Sequence, residues 1–249
     1  MQYQMKLTHT WVFYISLLSL GYSLAQQNEN LPINDSLNLR KVKSINLRVG
    51  FDLYRTILSR VSNDFEGFEI VGDLKVSKDF FIALELGNSE TTKQVEQVNF
   101  TTSGSYLKMG FDYNMFENLE GMNNHITIGA RIGSSKHNQI LNSYTILDRT
   151  RYWSTSDLPV TNGFATGERS DLNSLWFEVV LNFKVQILKN IYSGVSLRLN
   201  RLISDKIPSN FDNIYIPGFN KKTQDNVFGA GFNYALTYNF FAFIQKKIV

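Results

Sequence analysis

Apolar and polar residues alternate with a period of two in eight segments of this chain. In the third of them, Phe80, Ile82, Leu84 and Leu86 form one row, and Ala83, Glu85 and Gly87 lie on the other. Side chains of a strand point alternately to opposite faces, so each segment predicts a strand with one apolar and one polar face. The eight predicted strands lie within residues 45–53, 68–76, 80–87, 106–113, 125–133, 175–184, 194–200 and 228–240.

The apolar rows of these segments carry no charge, which is the condition that a lipid-facing row must meet. The segments are also near the length that a tilted membrane strand requires. Shorter links follow strands two, four and six, and longer links follow strands one, three, five and seven. We therefore predict an all-β, antiparallel, up-and-down transmembrane β-barrel of eight strands, with short periplasmic turns and long outer loops.

Aromatic residues lie at both ends of the predicted apolar rows, as they do at membrane interfaces. The periplasmic ends carry Phe80, Tyr113, Phe183, Tyr238 and Phe240, and the outer ends carry Phe68, Phe177 and Phe228. Ordinary core packing would explain any one of these rings equally well, so the prediction depends on the whole set.

The N-terminus has the order of a secretory signal peptide. Lys6 precedes an apolar stretch from Trp11 to Leu20, and Ser23-Leu24-Ala25 supplies a cleavage site before Gln26. The alternative is a buried N-terminal strand. We predict a signal peptide at 1–25, a periplasmic lead-in at 26–44, the barrel at 45–240 and a periplasmic tail at 241–249. The chain has no cysteine, which excludes disulfides, thiolate sites and a lipoprotein anchor.

The segments SYLKMGFDYNMF (105–116) and FGAGFNYALTYNF (228–240), together with the signal peptide, resemble outer-membrane β-barrel proteins of Bacteroidota. The resemblance is to a family of unknown function and implies an outer-membrane location. The last strand also resembles the insertion signal that the barrel assembly machinery reads, with Gly231, Tyr234 and Leu236 in it, although the chain continues beyond it.

The polar rows predict a lumen that is filled by charged side chains, since an eight-stranded barrel is just wide enough to be filled. We expect paired charges and a plugged lumen rather than a diffusion pore. Lys108 is expected to pair with Glu85 or Asp73. The predicted network contains six acids and six bases: Asp52, Glu69, Asp73, Glu85, Asp112 and Glu178 with Arg48, Lys75, Lys108, Arg131, Lys184 and Arg198.

No catalytic, metal-binding or cofactor-binding motif is present in the sequence. Two histidines remain after the signal peptide: His125 on a lumen row, and His137 at the start of the third outer loop, near Ser134 and Ser135. We expect His137 to be a solvated loop residue rather than a general base. The formal charge of +3 is too small to indicate a nucleic-acid partner.

Any surface function is expected to lie in the outer loops. The third loop, from about Ser134 to Asp171, contains a possible binding patch of Arg149, Arg151, Tyr152 and Trp153. The fourth loop, Ser204 to Asp225, carries Tyr215 and Phe219, and aromatics of both loops could instead pack on the barrel rim.

Three functions remain open at this point. The first is a structural or loop-mediated binding barrel of the outer membrane, with membrane lipid and the assembly machinery as partners. The second is a lipid-modifying enzyme, which loss of activity on replacing His125 or His137 would identify. The third is a soluble secreted barrel that binds an apolar ligand inside, with both rows inverted.

Overall fold

The computed structural model describes residues 42–95, 97–146, 158–160, 166–206, 213–222 and 227–245. The predicted signal peptide and most of the predicted lead-in lie outside the described residues. Within them, the chain forms one helix and eleven strands. These are β1 Val42–Asp52, α1 Leu53–Val61, β2 Phe65–Lys75, β3 Phe80–Val95, β4 Val98–Asn114, β5 His125–Ile146, β6 Leu158–Val160, β7 Gly167–Leu188, β8 Ile191–Asp205, β9 Tyr215–Ile216, β10 Asn220–Lys221 and β11 Phe228–Gln245.

Eight of the strands form a closed antiparallel ring in the order β1-β2-β3-β4-β5-β7-β8-β11. The ring closes between the first and last strands, which pair from Val42 with Gln245 to Asp52 with Ala235. Strand β6 adds to β5 outside the ring, and β9 and β10 form a separate short hairpin. The predicted eight-stranded up-and-down barrel is confirmed. Among the described residues, no helix is long and apolar enough to cross a bilayer.

The two ends of the barrel differ. We call the end with the links 76–79, 115–124 and 189–190 the turn end, and it also holds Val42 and Gln245. The opposite end, with the other four connections, is called the loop end. Strands β1 and β11 extend beyond the predicted barrel bounds of 45 and 240.

Several strands continue further toward the loop end than the sequence predicts. β3 and β4 pair as far as Val95 and Val98, where a loop was expected after the third strand. β5 continues to Ile146 and β7 begins at Gly167, so the predicted bounds of the third loop, 134–171, are wrong. The outward row of these extensions is mostly polar, with pairs such as the hydroxyls of Thr92 and Thr101 at 2.8 Å, and their apolar residues Phe100 and Leu141 are buried on the inner face. The apolar alternation that marks a strand is therefore absent there.

Helix α1 replaces the end of the first predicted strand. Asp52 caps it, because its carboxylate accepts hydrogen bonds from the backbone N–H of Tyr54 at 2.8 Å and of Arg55 at 3.4 Å. At the other end, the N–H of Ser62 donates to the Leu58 carbonyl at 2.8 Å. Leu53, predicted as the last apolar residue of the strand, is the first residue of the helix.

The apolar rows face outward on every strand of the ring. Leu84, Met109 and Ile132 are paired neighbours on β3, β4 and β5, and all three are exposed. The exposed apolar residues of the wall include Leu47, Phe51, Phe68, Ile70, Phe80, Ile82, Leu84, Leu86, Met109, Phe111, Tyr113, Ile128, Ile132, Phe177, Val179, Phe183, Val185, Ile187, Leu197, Leu199, Phe232, Tyr234 and Phe240. We call this set the apolar belt. The third possibility, a soluble barrel with its apolar rows inside, is wrong, because charged side chains occupy the interior.

Candidate functional site

The twelve charged residues of the predicted lumen network lie on the inward rows of the ring. Lys75 and Lys184 are half-buried. The other ten are buried: Arg48, Asp52, Glu69, Asp73, Glu85, Lys108, Asp112, Arg131, Glu178 and Arg198. Because side chains alternate along each strand, all twelve point to the same side of the wall. The register between strands determines which of them form ion pairs.

Asp73 is the centre of the layer nearest the turn end. One of its oxygens is 2.5 Å from Arg48 Nε and the other is 2.6 Å from Lys184 Nζ. The guanidinium of Arg48 also lies over the ring of Phe81, 4.6 Å from its centroid, and faces Tyr192 at 5.3 Å. This carboxylate therefore has two cations of its own, and Lys108 is not among them, so the predicted Lys108–Asp73 pair is wrong.

Glu85 and Arg198 form the centre of the middle layer. The two guanidinium nitrogens of Arg198 lie 2.5 and 3.1 Å from the two oxygens of Glu85, which is a bidentate pair. Glu85 also has Arg131 Nε at 3.5 Å, and Arg131 in turn reaches Asp112 at 2.8 Å. Strands far apart in the sequence are thereby joined across the lumen.

Lys108 lies among three carboxylates. Its Nζ is 3.4 Å from Glu178, 3.6 Å from Glu85 and 4.0 Å from Glu69. Glu178 is shared with Arg198 at 3.3 Å, and it accepts a hydrogen bond from the indole N–H of Trp176 at 2.6 Å. Lys108 is thus the cation that compensates the central acids, including Glu85 as predicted.

Glu69 marks the layer nearest the loop end, and three of its partners were not predicted. The hydroxyl of Tyr106 and the amide of Asn233 both donate to its carboxylate. Arg55, from helix α1, reaches inward to Glu69 at 3.4 Å and to Asp52 at 3.5 Å. Arg55 was missed because its segment was not predicted to be a helix with one face toward the lumen.

The network encloses a small cavity in the lumen. A cavity of about 40 Å³ lies among Asp73, Glu85, Asp112, Arg131 and Arg198. That volume holds about two or three water molecules, and its polar lining suits them. Buried charges in such an arrangement depend on each other, because loss of one partner leaves an uncompensated charge in a medium of low dielectric constant.

A cluster of buried apolar residues, which we call the plug, lies on the loop-end side of the network. Ile216 and Phe219, from the β9–β10 hairpin, are fully buried against Trp176, Tyr106 and Leu202. The rings of Phe219 and Trp176 meet edge to face at 6.0 Å, and the amide of Asn200 donates to the Phe219 carbonyl at 3.1 Å. The described middle part of the fourth predicted loop, residues 213–222, therefore folds back into the barrel instead of remaining at the surface.

The sequence matches one family model over residues 7–246, nearly its full length, and the family is described as a domain of unknown function, DUF6048. The chain belongs to the DUF6048 family. The sequence predicted a family of unknown function, and the match agrees with that prediction. The resemblance to proteins of Bacteroidota stays a prediction. No curated protein matches the sequence.

Two crystal structures resemble this DUF6048 chain at low identity. Ail, the attachment invasion locus protein of Yersinia pestis, is 7% identical with a TM-score of 0.38, covering 79% of this chain and 98% of its own. Neisserial surface protein A (NspA) is 11% identical with a TM-score of 0.38, covering 80% of this chain and 99% of its own. Both TM-scores are below 0.5, so neither structure supports a conclusion about the interior of the DUF6048 chain.

The two histidines of this DUF6048 chain both lie in the interior. His125 is buried beside the ring of Phe81 at 5.4 Å, at the turn end. His137 is a buried residue of β5, so the expectation of a solvated loop histidine is wrong. Its Nδ1 is 3.4 Å from the Ser135 hydroxyl.

The possible loop binding patch lies outside the described residues. Arg149, Arg151, Tyr152 and Trp153 fall in the unassigned stretch between β5 and β6. That patch stays a prediction from the sequence, whereas the charge network and the plug are the interior features that the DUF6048 chain shows.

Proposed function

We propose that this protein is an outer-membrane β-barrel with a closed lumen, which serves as a structural or loop-mediated binding protein at the cell surface. The observation that carries the proposal is the apolar belt around a charged interior. Soluble monomers seldom expose contiguous apolar patches beyond about 300–600 Å². Here exposed apolar residues occur on all eight strands of the ring, so water is an unsuitable solvent for this surface.

The height of the belt fits a bilayer. On β7 the outward row is apolar from Phe177 to Ile187. Ten residue steps correspond to roughly 33 Å along a strand, or about 25 Å of height at a tilt of about 40°. Membrane barrels have an apolar band of about that height. The turn end then faces the periplasm, and the predicted signal peptide provides the export that this location needs.

Cell fractionation tests the location. We expect the protein in the outer-membrane fraction of a sucrose gradient, released by detergent and not by salt, with gel mobility that changes on heating. An inner-membrane lipoprotein and a periplasmic enzyme serve as markers in the same gradient. Recovery of the folded protein with the periplasmic marker would contradict the proposal.

Conductance tests the closed lumen. Because the network and the plug leave a cavity of about 40 Å³, we expect purified barrels to give little ion current in planar bilayers. A porin reconstituted under the same conditions is the positive control. Large, reproducible conductance steps from the wild-type protein would show that the interior opens.

A lipid-modifying enzyme remains the second candidate, and one contact favours it. Ser135 and His137 lie on the same inward row, with Ser135 Oγ 3.4 Å from His137 Nδ1. A hydroxyl beside an imidazole is the pair that a nucleophile and its general base would form. Both side chains are buried, which leaves a substrate no direct approach to them in this conformation. The structural or binding role is therefore the better supported of the two.

The last strand is the segment that we expect the assembly machinery to recognise. β11 carries its rings on the outward row, at Phe232, Tyr234 and Phe240, while Gly231 faces inward. Its pairing with β1 closes the barrel, so recognition of this strand would come at the step that completes the ring.

A further inference from the structure

The barrel wall has a gap at the loop end between β2 and β11. β1 pairs with β2 only as far as Phe51 with Ile70, and with β11 only as far as Asp52 with Ala235. Among the described residues, no strand pairs on this side with residues 65–69 of β2 or 229–234 of β11. Each of these segments pairs with a strand on its other side. We call this gap the seam.

Helix α1 fills the seam and is fixed on both sides. The N–H of Gly67 on β2 donates to Ser59 Oγ at 3.3 Å, and the N–H of Tyr234 on β11 donates to Asp52 at 3.4 Å. The ring of Tyr54 meets Phe232 edge to face at 5.6 Å. Arg55 points inward to Glu69. The helix is therefore part of the wall, with one side toward the network.

The outward side of α1 is apolar. Tyr54, Ile57 and Val61 lie on one stripe of the helix and are 46%, 56% and 78% exposed. Exposed apolar positions at this spacing are unfavourable in water. Through Tyr54 and Phe232 the stripe is continuous with the apolar belt. The helix thus extends the lipid-facing surface across the seam.

A groove of about 900 Å³ runs along α1 on its β11 side. The apolar part of its lining comes from Tyr54, Leu58, Phe65, Ala230 and Phe232, and charged side chains of Arg55, Asp64 and Lys93 also line it. Both Phe232 of the belt and the buried Tyr215, whose ring has Lys93 at 5.2 Å, line the groove. Its volume is that of an ordinary ligand site, for which the usual range is about 300–1,000 Å³.

The free edge of β11 is compatible with an apolar occupant. An unsatisfied backbone group in contact with hydrocarbon would cost several kcal/mol. Here the Ala230 carbonyl accepts from the amide of Asn220 at 3.2 Å, and the Tyr234 N–H donates to Asp52. Side chains therefore satisfy backbone groups on an edge where no strand pairs within the described residues.

We propose that this groove binds an acyl chain of an outer-leaflet membrane lipid, which enters the seam sideways from the belt. The inference rests on the proposed membrane location. The groove is continuous with the surface that contacts lipid chains, and its rings and aliphatic side chains match a hydrocarbon chain. A groove on the other side of α1 is lined mostly by polar residues such as Ser59, Arg60 and Glu66, with Phe68 as the large apolar side chain in its lining, so it suits such a chain less well.

Photolabelling tests the site. The probe is a phosphatidylethanolamine with a diazirine in its acyl chain, mixed into phosphatidylethanolamine–phosphatidylglycerol vesicles that hold the refolded barrel. After irradiation and digestion, we expect label concentrated several-fold on α1 and the outer half of β11, relative to the rest of the belt. Label spread evenly around the eight strands would overturn the proposal, because it would show only the lipid that surrounds any barrel.

Two matched variants make the test specific. Ala230→Trp fills the groove and is expected to reduce the label on α1 and β11 several-fold. Val179→Trp adds the same ring to the belt on β7 and is expected to leave the pattern unchanged. If Ala230→Trp does not give heat-modifiable barrels, Leu58→Trp fills the groove from the helix side. Unchanged labelling in a folded groove-filling variant would overturn the site.

The membrane location can fail separately from the site. A protein without a lipid-facing belt would not enter the vesicles and would take no label on any strand. A barrel that inserts and is labelled evenly would retain the proposed location and lose the groove.

Discussion

Replacing Lys108 with methionine is expected to lower the free energy of unfolding by about 3–5 kcal/mol, the usual loss when one partner of a buried ion pair is removed. Lys108 is almost completely buried and lies within 4.0 Å of Glu178, Glu85 and Glu69. Methionine has a similar volume, so the loss arises mainly from carboxylates that keep their charge without this cation. Urea unfolding in detergent, followed by heat-modifiable mobility, measures it.

A second substitution should show which acids Lys108 compensates. Adding Glu178→Gln to Lys108→Met is expected to recover part of the loss, because the nearest carboxylate then carries no charge while its shape is kept. Adding Asp73→Asn should give no recovery, since Asp73 is paired with Arg48 and Lys184. Equal recovery from both would indicate a general effect of lumen charge instead of this geometry.

An exposed pair provides the control for the loss itself. Lys136 and Asp171 are 3.3 Å apart, and their side chains are 73% and 70% exposed. Lys136→Met is expected to cost less than about 1 kcal/mol, because surface ion pairs are screened by water and salt. If Lys108→Met costs no more than this control, the interior is wet and the closed lumen is contradicted.

Replacing Met109 with arginine is expected to cost about 2–4 kcal/mol in lipid vesicles, the penalty for a cation on a lipid face near the bilayer midplane. Met109 is 51% exposed and lies between Leu84 and Ile132 on the outward face. No carboxylate of the interior network shares that face, so a second substitution in the lumen should not rescue this variant.

The matched control for Met109→Arg is Ser134→Arg. Ser134 is an exposed outward residue of β5, one step beyond Ile132 on the same row, and the next outward residue is Lys136. It therefore lies past the apolar belt, where the cost of arginine falls to about 0–1 kcal/mol. If both variants lose the same stability, the belt does not contact lipid.

The ring strands, and which face of each is outward, could be predicted because the local alternation of apolar and polar residues determines both. Alternation such as Ile82, Leu84 and Leu86 predicts a strand and assigns its two faces, and it needs no knowledge of distant residues. Helix α1 has a local signal that was overlooked. Asp52 is a favourable N-cap, and Tyr54, Ile57 and Val61 have helical spacing. Leu53, which continues the alternation of Phe51, obscured that signal.

The partners inside the lumen could not be predicted in the same way. Lys108 and Glu178 are each on a polar row, but their contact depends on the stagger of strands that lie 70 residues apart in the chain. The plug depends on equally remote contacts, since Phe219 packs on Trp176 and Tyr106. Its residues also resemble those of any aromatic surface loop. Composition and period therefore predict which residues face inward, whereas register determines which of them meet.

The pairing of β1 with β11 imposes an order on biogenesis. Every other pairing in the ring joins two ring strands that are consecutive in the sequence, so it can form as the chain is delivered. Val42 and Gln245 are the most widely separated partners, and bringing them together costs the most loop entropy. Until they meet, two strand edges stay open, and open edges are templates for aggregation. The first strand must therefore be shielded from other copies of the chain until the last one arrives.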